Sequence, residues 1–271
     1  MGRLDGSVAL VTGASSGIGE AMCIELAQRG AAVVLAARRA ERIEAVAERI
    51  RSAGGRAVAV ACDVTVDGDP ERCVERAIEA YGRLDWVVAN AGYGVGGPFE
   101  KLSLDDYRRQ LETNLYGVLR TAKASLEALR RSRGCLAIVG SVNSFLALPT
   151  VSAYCVSKFA VRALARSLRH ELRPDGVAVT LLAPGFVESE IRKVDNQGRY
   201  REEWRDTVPG WLKMPADVAA RKMVNATVRR RRVAVVTLHG KLFVWIERHA
   251  PWLAAWLVDR TAVSWRRPKT P

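Results

Sequence analysis

Short apolar runs and helix-patterned stretches alternate along almost the whole of this 271-residue chain, and that alternation restricts its fold more than any other feature. Runs rich in Val, Ala, Leu and Ile occur at 8–12, 32–37, 56–61, 86–89, 135–140, 178–183 and 233–237. Between them, apolar residues recur at helical spacing over 18–29, 41–52, 70–81, 104–132, 153–172 and 215–228. A short run that is apolar throughout, rather than at alternate positions, belongs to a strand covered on both faces. Strands separated by helices pair in parallel, and right-handed crossovers spread the helices over both faces of the sheet. The sequence therefore predicts an α/β fold with a doubly wound parallel sheet. Its 49% apolar and 26% charged residues fit a folded globular domain. No repeat, low-complexity tract or linker divides it.

Two segments break the rhythm. The stretch 188–214 is polar, carries Tyr200, Trp204 and Trp211, and contains the breakers Pro209 and Gly210. It follows the carboxyl end of a strand, where open α/β sheets bind ligands, so it reads as a lid or substrate loop. The stretch 238–271 is Trp-rich and basic. Leu242, Phe243, Trp245, Ile246, Trp252, Leu253, Trp256 and Leu257 recur every three to four residues, interrupted by Pro251. Of the net charge of +13, residues 229–271 carry +8. Such an end can meet an anionic membrane interface, or it can pack over the substrate site or a neighbouring subunit, which is the reading expected here. A nucleic-acid partner is not expected, because no nucleic-acid motif accompanies the charge. No apolar run is long enough for a transmembrane helix, and the N-terminus has no signal-peptide pattern. Cys23, Cys62, Cys73, Cys135 and Cys155 form no Cys-x-x-Cys pair and no metal-ligand spacing. They read as reduced thiols in a cytoplasmic protein that holds no metal.

The first strand runs into Thr12-Gly13-Ala14-Ser15-Ser16-Gly17-Ile18-Gly19 and then a helix. A phosphate must approach bare backbone, which glycine allows. The helix N-terminus offers free N–H groups and a positive dipole end to the anion, and Ser15 and Ser16 add hydroxyl donors. A glycine-rich turn also serves purely structural ends. The second strand exits through Ala37-Arg38-Arg39. In a dinucleotide fold this edge meets the adenosine ribose, where an acidic residue would repel a 2′-phosphate and a guanidinium would bind it. The pattern favours NADP(H) over NAD(H), with Arg38, nearer the strand end, as the expected ligand. The alternative is that the arginines begin a solvated helix. Cys62-Asp63-Val64 ends the third strand and places Asp63 to accept a hydrogen bond from adenine. Asn90, Ala91 and Gly92 end the fourth in a tight turn able to lie under the cofactor.

Tyr154 and Lys158 are spaced i, i+4 on a predicted helix and share one face. A phenol ionises near pH 10 and is a poor acid or base at neutrality unless a cation stabilises the phenolate. Ser141 ends the fifth strand 13 residues before Tyr154 and can reach the same carbonyl oxygen. Asn114 lies inside a predicted helix, 40 residues before Tyr154, although asparagine is a mediocre helix former. Its amide can hold a water leading to Lys158, or it can be a satisfied core asparagine.

With these motifs in this order and spacing, the chain resembles the short-chain dehydrogenase/reductase family from about Leu4 to Val236. The resemblance rests on Thr12-Gly13-x-x-x-Gly17-x-Gly19, Asp63, Asn90-Ala91-Gly92, Asn114, Ser141, Tyr154-x-x-x-Lys158 and Pro184-Gly185. It implies a Rossmann-type seven-stranded sheet in the order 3-2-1-4-5-6-7. It implies Tyr154 as general acid/base, Lys158 as phenolate stabiliser and nicotinamide-ribose ligand, Ser141 as substrate orienter and Asn114 as anchor of a proton-relay water. Val187 and Ser189 fall where the family contacts the nicotinamide carboxamide, Ser189 in place of the usual threonine. Ala89 replaces the asparagine that usually opens the fourth-strand motif. The implied protein is an NADP(H)-dependent oxidoreductase, a homodimer or homotetramer, that interconverts an alcohol with a ketone or aldehyde. Its catalytic domain would span 1–237, with 238–271 as an extension. Phe145, Leu146 and Leu148, with the aromatic residues of 188–214, suggest an apolar substrate. The rival is a non-catalytic NADP(H)-binding sensor or scaffold, which would not need Ser141, Tyr154 and Lys158 together.

Overall fold

The computed structural model describes residues 3–206 and 208–265, with side chains to residue 260. Among these, seven strands form one sheet in the order β3-β2-β1-β4-β5-β6-β7, every neighbouring pair parallel. The strands are β1 Val8–Thr12, β2 Ala32–Ala37, β3 Arg56–Ala61, β4 Trp86–Ala89, β5 Cys135–Val139, β6 Ala178–Ala183 and β7 Val233–Val235. The helices between and after them are α1 Gly17–Gln28, α2 Ala40–Ser52, α3 Asp69–Tyr81, α4 Leu104–Leu111, α5 Gly117–Ser132, α6 Ser152–Glu171, α7 Ala216–Val228, α8 Leu238–His249 and α9 Pro251–Trp265.

The continuous apolar runs have their expected cause: every residue of β1, β2 and β5 is buried. Side chains alternate between the two faces. Ala9, Val11, Val33, Leu35, Val139 and Leu182 join Met22, Ile43, Val46 and Met223 on one face, which α1, α2 and α7 cover. Val8, Leu10, Val34, Val87, Ile138 and Leu181 join Val74, Val118, Leu129 and Val161 on the other, under α3, α5 and α6. Leu10, Leu35, Ile138, Leu181 and Leu182 are fully buried, so truncating any one to Ala costs about 2–5 kcal/mol.

The structure departs from the sequence reading in two places. The stretch 104–132 is not one helix, because a five-residue π-helical turn, Glu112–Tyr116, separates α4 from α5 and carries Asn114. The last strand stops before Thr237, whose hydroxyl accepts from the Gly240 amide at 3.3 Å and caps α8. The described part of the Trp-rich extension, 238–265, forms two helices that pack on each other, α8 reaching the body of the domain through Gly240 against Val142 and Val235; residues 266–271 lie outside the described residues. Trp245, Trp252 and Trp256 are exposed. Among the described residues, no helix is long and apolar enough to cross a membrane, and the five cysteines are buried and unbridged.

Candidate active site

The carboxyl ends of β1, β4, β5 and β6 meet at one edge of the sheet, and the crossovers reverse direction between β1 and β4. That edge is where a doubly wound sheet holds a ligand. The turn after β1 is built for close approach. Gly13 adopts φ +66°, and a Cβ there would lie 2.8 Å from the Ala91 Cα. A Cβ on Gly19 would collide with the Gly13 carbonyl oxygen. Asn90 clamps the turn from β4, its Nδ2 donating to the carbonyls of Thr12 at 2.9 Å and Gly13 at 3.2 Å. The Thr12 hydroxyl accepts from the amides of Asn90 and Ala91, both at 3.1 Å. Ser16 stands at the N-cap of α1, yet its side chain makes no capping bond. The first N–H groups of α1 are therefore left for an anion.

The Ser15 and Ser16 hydroxyls turn instead to a guanidinium. Arg39 donates from Nε and Nη2 to Ser15 Oγ at 3.0 and 2.8 Å, and from Nη2 to Ser16 Oγ at 2.8 Å. Arg38, the ligand expected from its place nearer the strand end, is exposed and donates from Nη2 to the Gly198 carbonyl at 3.3 Å. Arg39 is the residue that the exit of β2 brings to the turn. A dinucleotide fits this arrangement: bare backbone at the turn, an uncapped helix N-terminus, and an arginine fork beside two hydroxyls at the ribose edge. Asp63 lies at the end of β3, one carboxylate oxygen engaged by the amide and hydroxyl of Thr65 at 3.0 and 2.7 Å. Val64 is buried beside it against Gly117.

Tyr154 and Lys158 share the inner face of α6, with the Lys158 ammonium 5.6 Å from the centre of the phenol ring. Lys158 donates to the Val139 carbonyl at 3.0 Å, which ties α6 to the end of β5. Ser141, just beyond β5, caps a short 3-10 turn by accepting from the Asn143 amide at 3.1 Å. Burial raises the Tyr154 phenol above its ordinary value, while a hydrogen bond with the Ser141 hydroxyl acts to lower it. Burial alone pushes Lys158 down to about 8. The loop after β4 passes beside the phenol at Gly94, where a Cβ would lie 3.6 Å from the ring, in ordinary contact.

Asn114 is buried, with both Nδ2 hydrogens and one lone pair of Oδ1 engaged. It donates to the Tyr93 carbonyl at 3.0 Å and the Ser157 hydroxyl at 3.1 Å, and it accepts from the Tyr93 amide at 3.1 Å. Ser157 passes the contact on by donating to the Tyr154 carbonyl at 2.7 Å. These contacts hold the loop after β4 against α6. Gln110 does similar work one helical turn earlier, accepting from Val95 and donating to Tyr93. No motif marked it in the sequence.

Pro184 and Gly185 lead β6 into the segment 188–214, labelled the lid from its place beyond that strand end. The lid's ends are tied by Glu188 and Met214: the Glu188 amide donates to the Met214 carbonyl, and the Met214 amide to that of Phe186, both at 3.0 Å. Val187 is buried in this pairing, and Ser189 sits against Gly17 of the phosphate turn. Asn196 pins the far end by exchanging hydrogen bonds with Gly96 at 2.9 and 3.0 Å. The lid's aromatic residues do not gather at Tyr154. Tyr200 lies between Arg42, in the first turn of α2, and Lys193, and Trp211 is 85% exposed. Phe145 stacks under Arg162. From the extension, His239 Nε2 accepts from the Phe186 amide at 3.1 Å and its ring packs on Phe186. Nothing in the sequence motifs pointed to that contact.

The chain is similar to known short-chain dehydrogenases in sequence and in fold. The family model described as short chain dehydrogenase matches residues 7–199. An 11-beta-hydroxysteroid dehydrogenase A of Sesamum indicum is 34% identical over 259 residues, 93% of this chain and 74% of that protein. The 11-beta-hydroxysteroid dehydrogenase 1A of Arabidopsis thaliana is 37% identical over 244 residues, 85% of this chain and 68% of its own. Among solved structures, a short chain dehydrogenase/reductase from Burkholderia phymatum in complex with NAD superposes with a TM-score of 0.82 at 25% identity, covering 100% of this chain and 99% of that one. An alcohol dehydrogenase from the archaeon Thermococcus sibiricus, complexed with 5-hydroxy-NADP, superposes with a TM-score of 0.73 at 30% identity, covering 84% and 95%.

Proposed function

The chain belongs to the short-chain dehydrogenase family, and from that premise we propose that it is an NADP(H)-dependent oxidoreductase that interconverts an alcohol with a ketone or aldehyde. The observation that carries this reading is the meeting of Tyr154, Lys158 and Ser141 at the end of β5, at the same sheet edge as a turn shaped for phosphate.

When bound, the dinucleotide supplies the hydride donor or acceptor at its nicotinamide. The chain supplies everything done at the substrate oxygen. Ser141 donates a hydrogen bond to that oxygen and fixes its position. Tyr154 gives it a proton during reduction and takes one during oxidation. Lys158 lowers the cost of the phenolate through its charge and holds the nicotinamide ribose. Asn114 acts as a positioning residue, joining the Tyr93 backbone to Ser157 and through it to the Tyr154 backbone carbonyl. Gly13, Ser15, Ser16, Gly17, Ile18 and Gly19 cradle the pyrophosphate, Asp63 and Val64 receive adenine, and Asn90, Ala91 and Gly92 floor the groove. Val187 and Ser189 meet the carboxamide. Arg39, aided by Arg38, recognises a 2′-phosphate, a reading supported by the absence of an acidic residue at the exit of β2.

The substrate proposed is apolar, in keeping with relatives named for hydroxysteroids. The protein acts in the cytoplasm as a homodimer or homotetramer, with its C-terminal helices packed on the domain or on a second subunit. The test is NADPH oxidation by purified protein over a panel of ketosteroids, aliphatic ketones and aldehydes, with NADP-dependent oxidation of the matching alcohols. Tight NADPH binding with no turnover on any of them would favour a sensor or scaffold instead.

A further inference from the structure

The exit of β2 and the first turn of the lid are joined through one carboxylate. Glu190 accepts from Arg39 Nη1 at 2.8 Å through Oε2, and both of its oxygens accept from Arg42 Nη1 at 2.8 Å. Arg39 directs its other N–H groups to Ser15 and Ser16, so one guanidinium bridges the phosphate turn and the lid. A cavity of about 380 Å³ opens beside them, lined in part by Ser15, Ser16, Arg42, Ser189 and Glu190. Burial works against ionisation of Glu190, but the hydrogen bonds from Arg39 and Arg42 outweigh it and hold its carboxyl below the ordinary value. Glu190 is thus an anion at neutral pH.

We propose that Glu190 sets how strongly this site discriminates NADPH from NADH, by competing with the 2′-phosphate for Arg39 and Arg42. The inference rests on reading the exit of β2 as the 2′-phosphate site. A guanidinium fork accepts carboxylate and phosphate in the same geometry. A phosphate monoester brings a charge of about −1.5 to −2 at neutrality, and Glu190 both occupies its partners and repels it. The 2′-hydroxyl of NADH carries no charge and meets no such opposition. Glu190 therefore weakens the phosphorylated dinucleotide selectively.

Calorimetric titration of the full chain with NADPH and with NADH measures this without turnover. Relative to wild type, Glu190→Gln is expected to tighten NADPH about fivefold, the worth of a half-exposed ion pair, and to leave NADH unchanged. The gain shrinks in high salt, because all three side chains are partly exposed. In an Arg39→Ala, Arg42→Ala background, Glu190→Gln no longer favours NADPH. A weaker NADPH complex, or an equal shift for both nucleotides, would overturn the proposal, since either would mean that Glu190 only positions Arg39 or the lid. If wild type itself binds NADH more tightly than NADPH, the assignment of the 2′-phosphate site fails, and that result is read before any variant is made.

Discussion

Lys158 lies one helical turn beyond Tyr154, its ammonium 5.6 Å from the phenol centre and hydrogen-bonded to the Val139 carbonyl. The contact puts a cation beside the proposed acid/base while a strand end holds that cation still. Tyr154→Phe keeps the ring and removes the proton carrier. Turnover is expected to fall by about 10²–10⁴-fold or more, with the Kd for NADPH unchanged. Burial holds the phenol above its ordinary value, so alcohol oxidation, which needs it deprotonated, should accelerate as pH rises. Carbonyl reduction, which needs the proton, should slow. Initial rates in both directions across pH 6–10 check this. A flat profile for oxidation would argue against Tyr154 as the base.

The same burial makes Lys158 costly to the fold. Its pKa drops from an ordinary 10.5 to about 8, so at pH 7 it is protonated in the folded and the unfolded chain alike, and the folded chain carries the desolvation cost. That cost disappears only as pH rises from about 8 towards 10.5, where the unfolded chain binds the extra proton. Lys158→Met should therefore abolish turnover yet melt at or above the wild-type temperature at pH 7, with a stability gain of roughly 1–2 kcal/mol after the lost hydrogen bond to Val139 is counted. The advantage should shrink by pH 10. A variant that melts well below wild type at pH 7 would contradict this.

Arg38 and Arg39 are neighbours with different expected losses. Arg39 reaches Ser15 and Ser16, whereas Arg38 reaches the Gly198 carbonyl across the groove. Arg39→Ala should weaken NADPH by about 10–100-fold, as expected for a lost charge-assisted contact, and leave NADH nearly unaffected. Arg38→Ala should cost less. Fluorescence titration with both nucleotides measures the two, and a larger loss for Arg38→Ala would return the phosphate to that residue.

That pair also shows how far a sequence can be read. The strands were legible because burial on both faces forces uninterrupted apolar runs, as in β1 and β2. Tyr154 and Lys158 were legible because helical spacing fixes which residues share a face. Which arginine turns inward was not, since it depends on the backbone at Arg39, where φ −84° and ψ 83° redirect the chain into α2. The π-helical turn at Asn114 was hidden for a related reason. No proline or glycine interrupts 104–116, and Asn114's partners Tyr93 and Ser157 lie 21 and 43 residues away. Glu190 and Arg39 are separated by 151 positions, and no local pattern joins them. Tyr200 has the residue type for an apolar pocket, but it lies between Arg42, in the first turn of α2, and Lys193.

Asn114→Ala tests whether the amide holds the site together. It would leave the buried Tyr93 amide without its partner, at a cost of about 1–3 kcal/mol. The Tyr93 carbonyl would keep Gln110. The melting temperature should drop by several degrees, and amide exchange should speed up over residues 93–96. If stability and exchange hold while turnover falls, the structural account fails and a direct part in proton transfer gains.

His239 ties the C-terminal extension to the loop that opens the lid, and the tie depends on protonation. Its Nε2 accepts from the Phe186 amide at 3.1 Å, which only a neutral imidazole nitrogen can do. Burial lowers its pKa from the ordinary 6.5. The unfolded chain therefore takes up a proton first as pH falls. The stability this contact contributes is whole above about 6.5, shrinks below that value, and is lost as pH passes through the folded pKa. His239→Gln keeps a side-chain acceptor that does not titrate. Wild type should lose more melting temperature than His239→Gln between pH 7.5 and pH 5, while the two stay close at pH 7.5. The carboxylates that also titrate in this range are common to both proteins, so the difference between them isolates the histidine. His239→Ala, with no acceptor, should be less stable than either at pH 7.5. It should also raise the KM for the nucleotide, because Phe186 leads directly into Val187 and Ser189. Parallel melting curves for wild type and His239→Gln at both pH values would mean that the extension is not held to the lid through this bond.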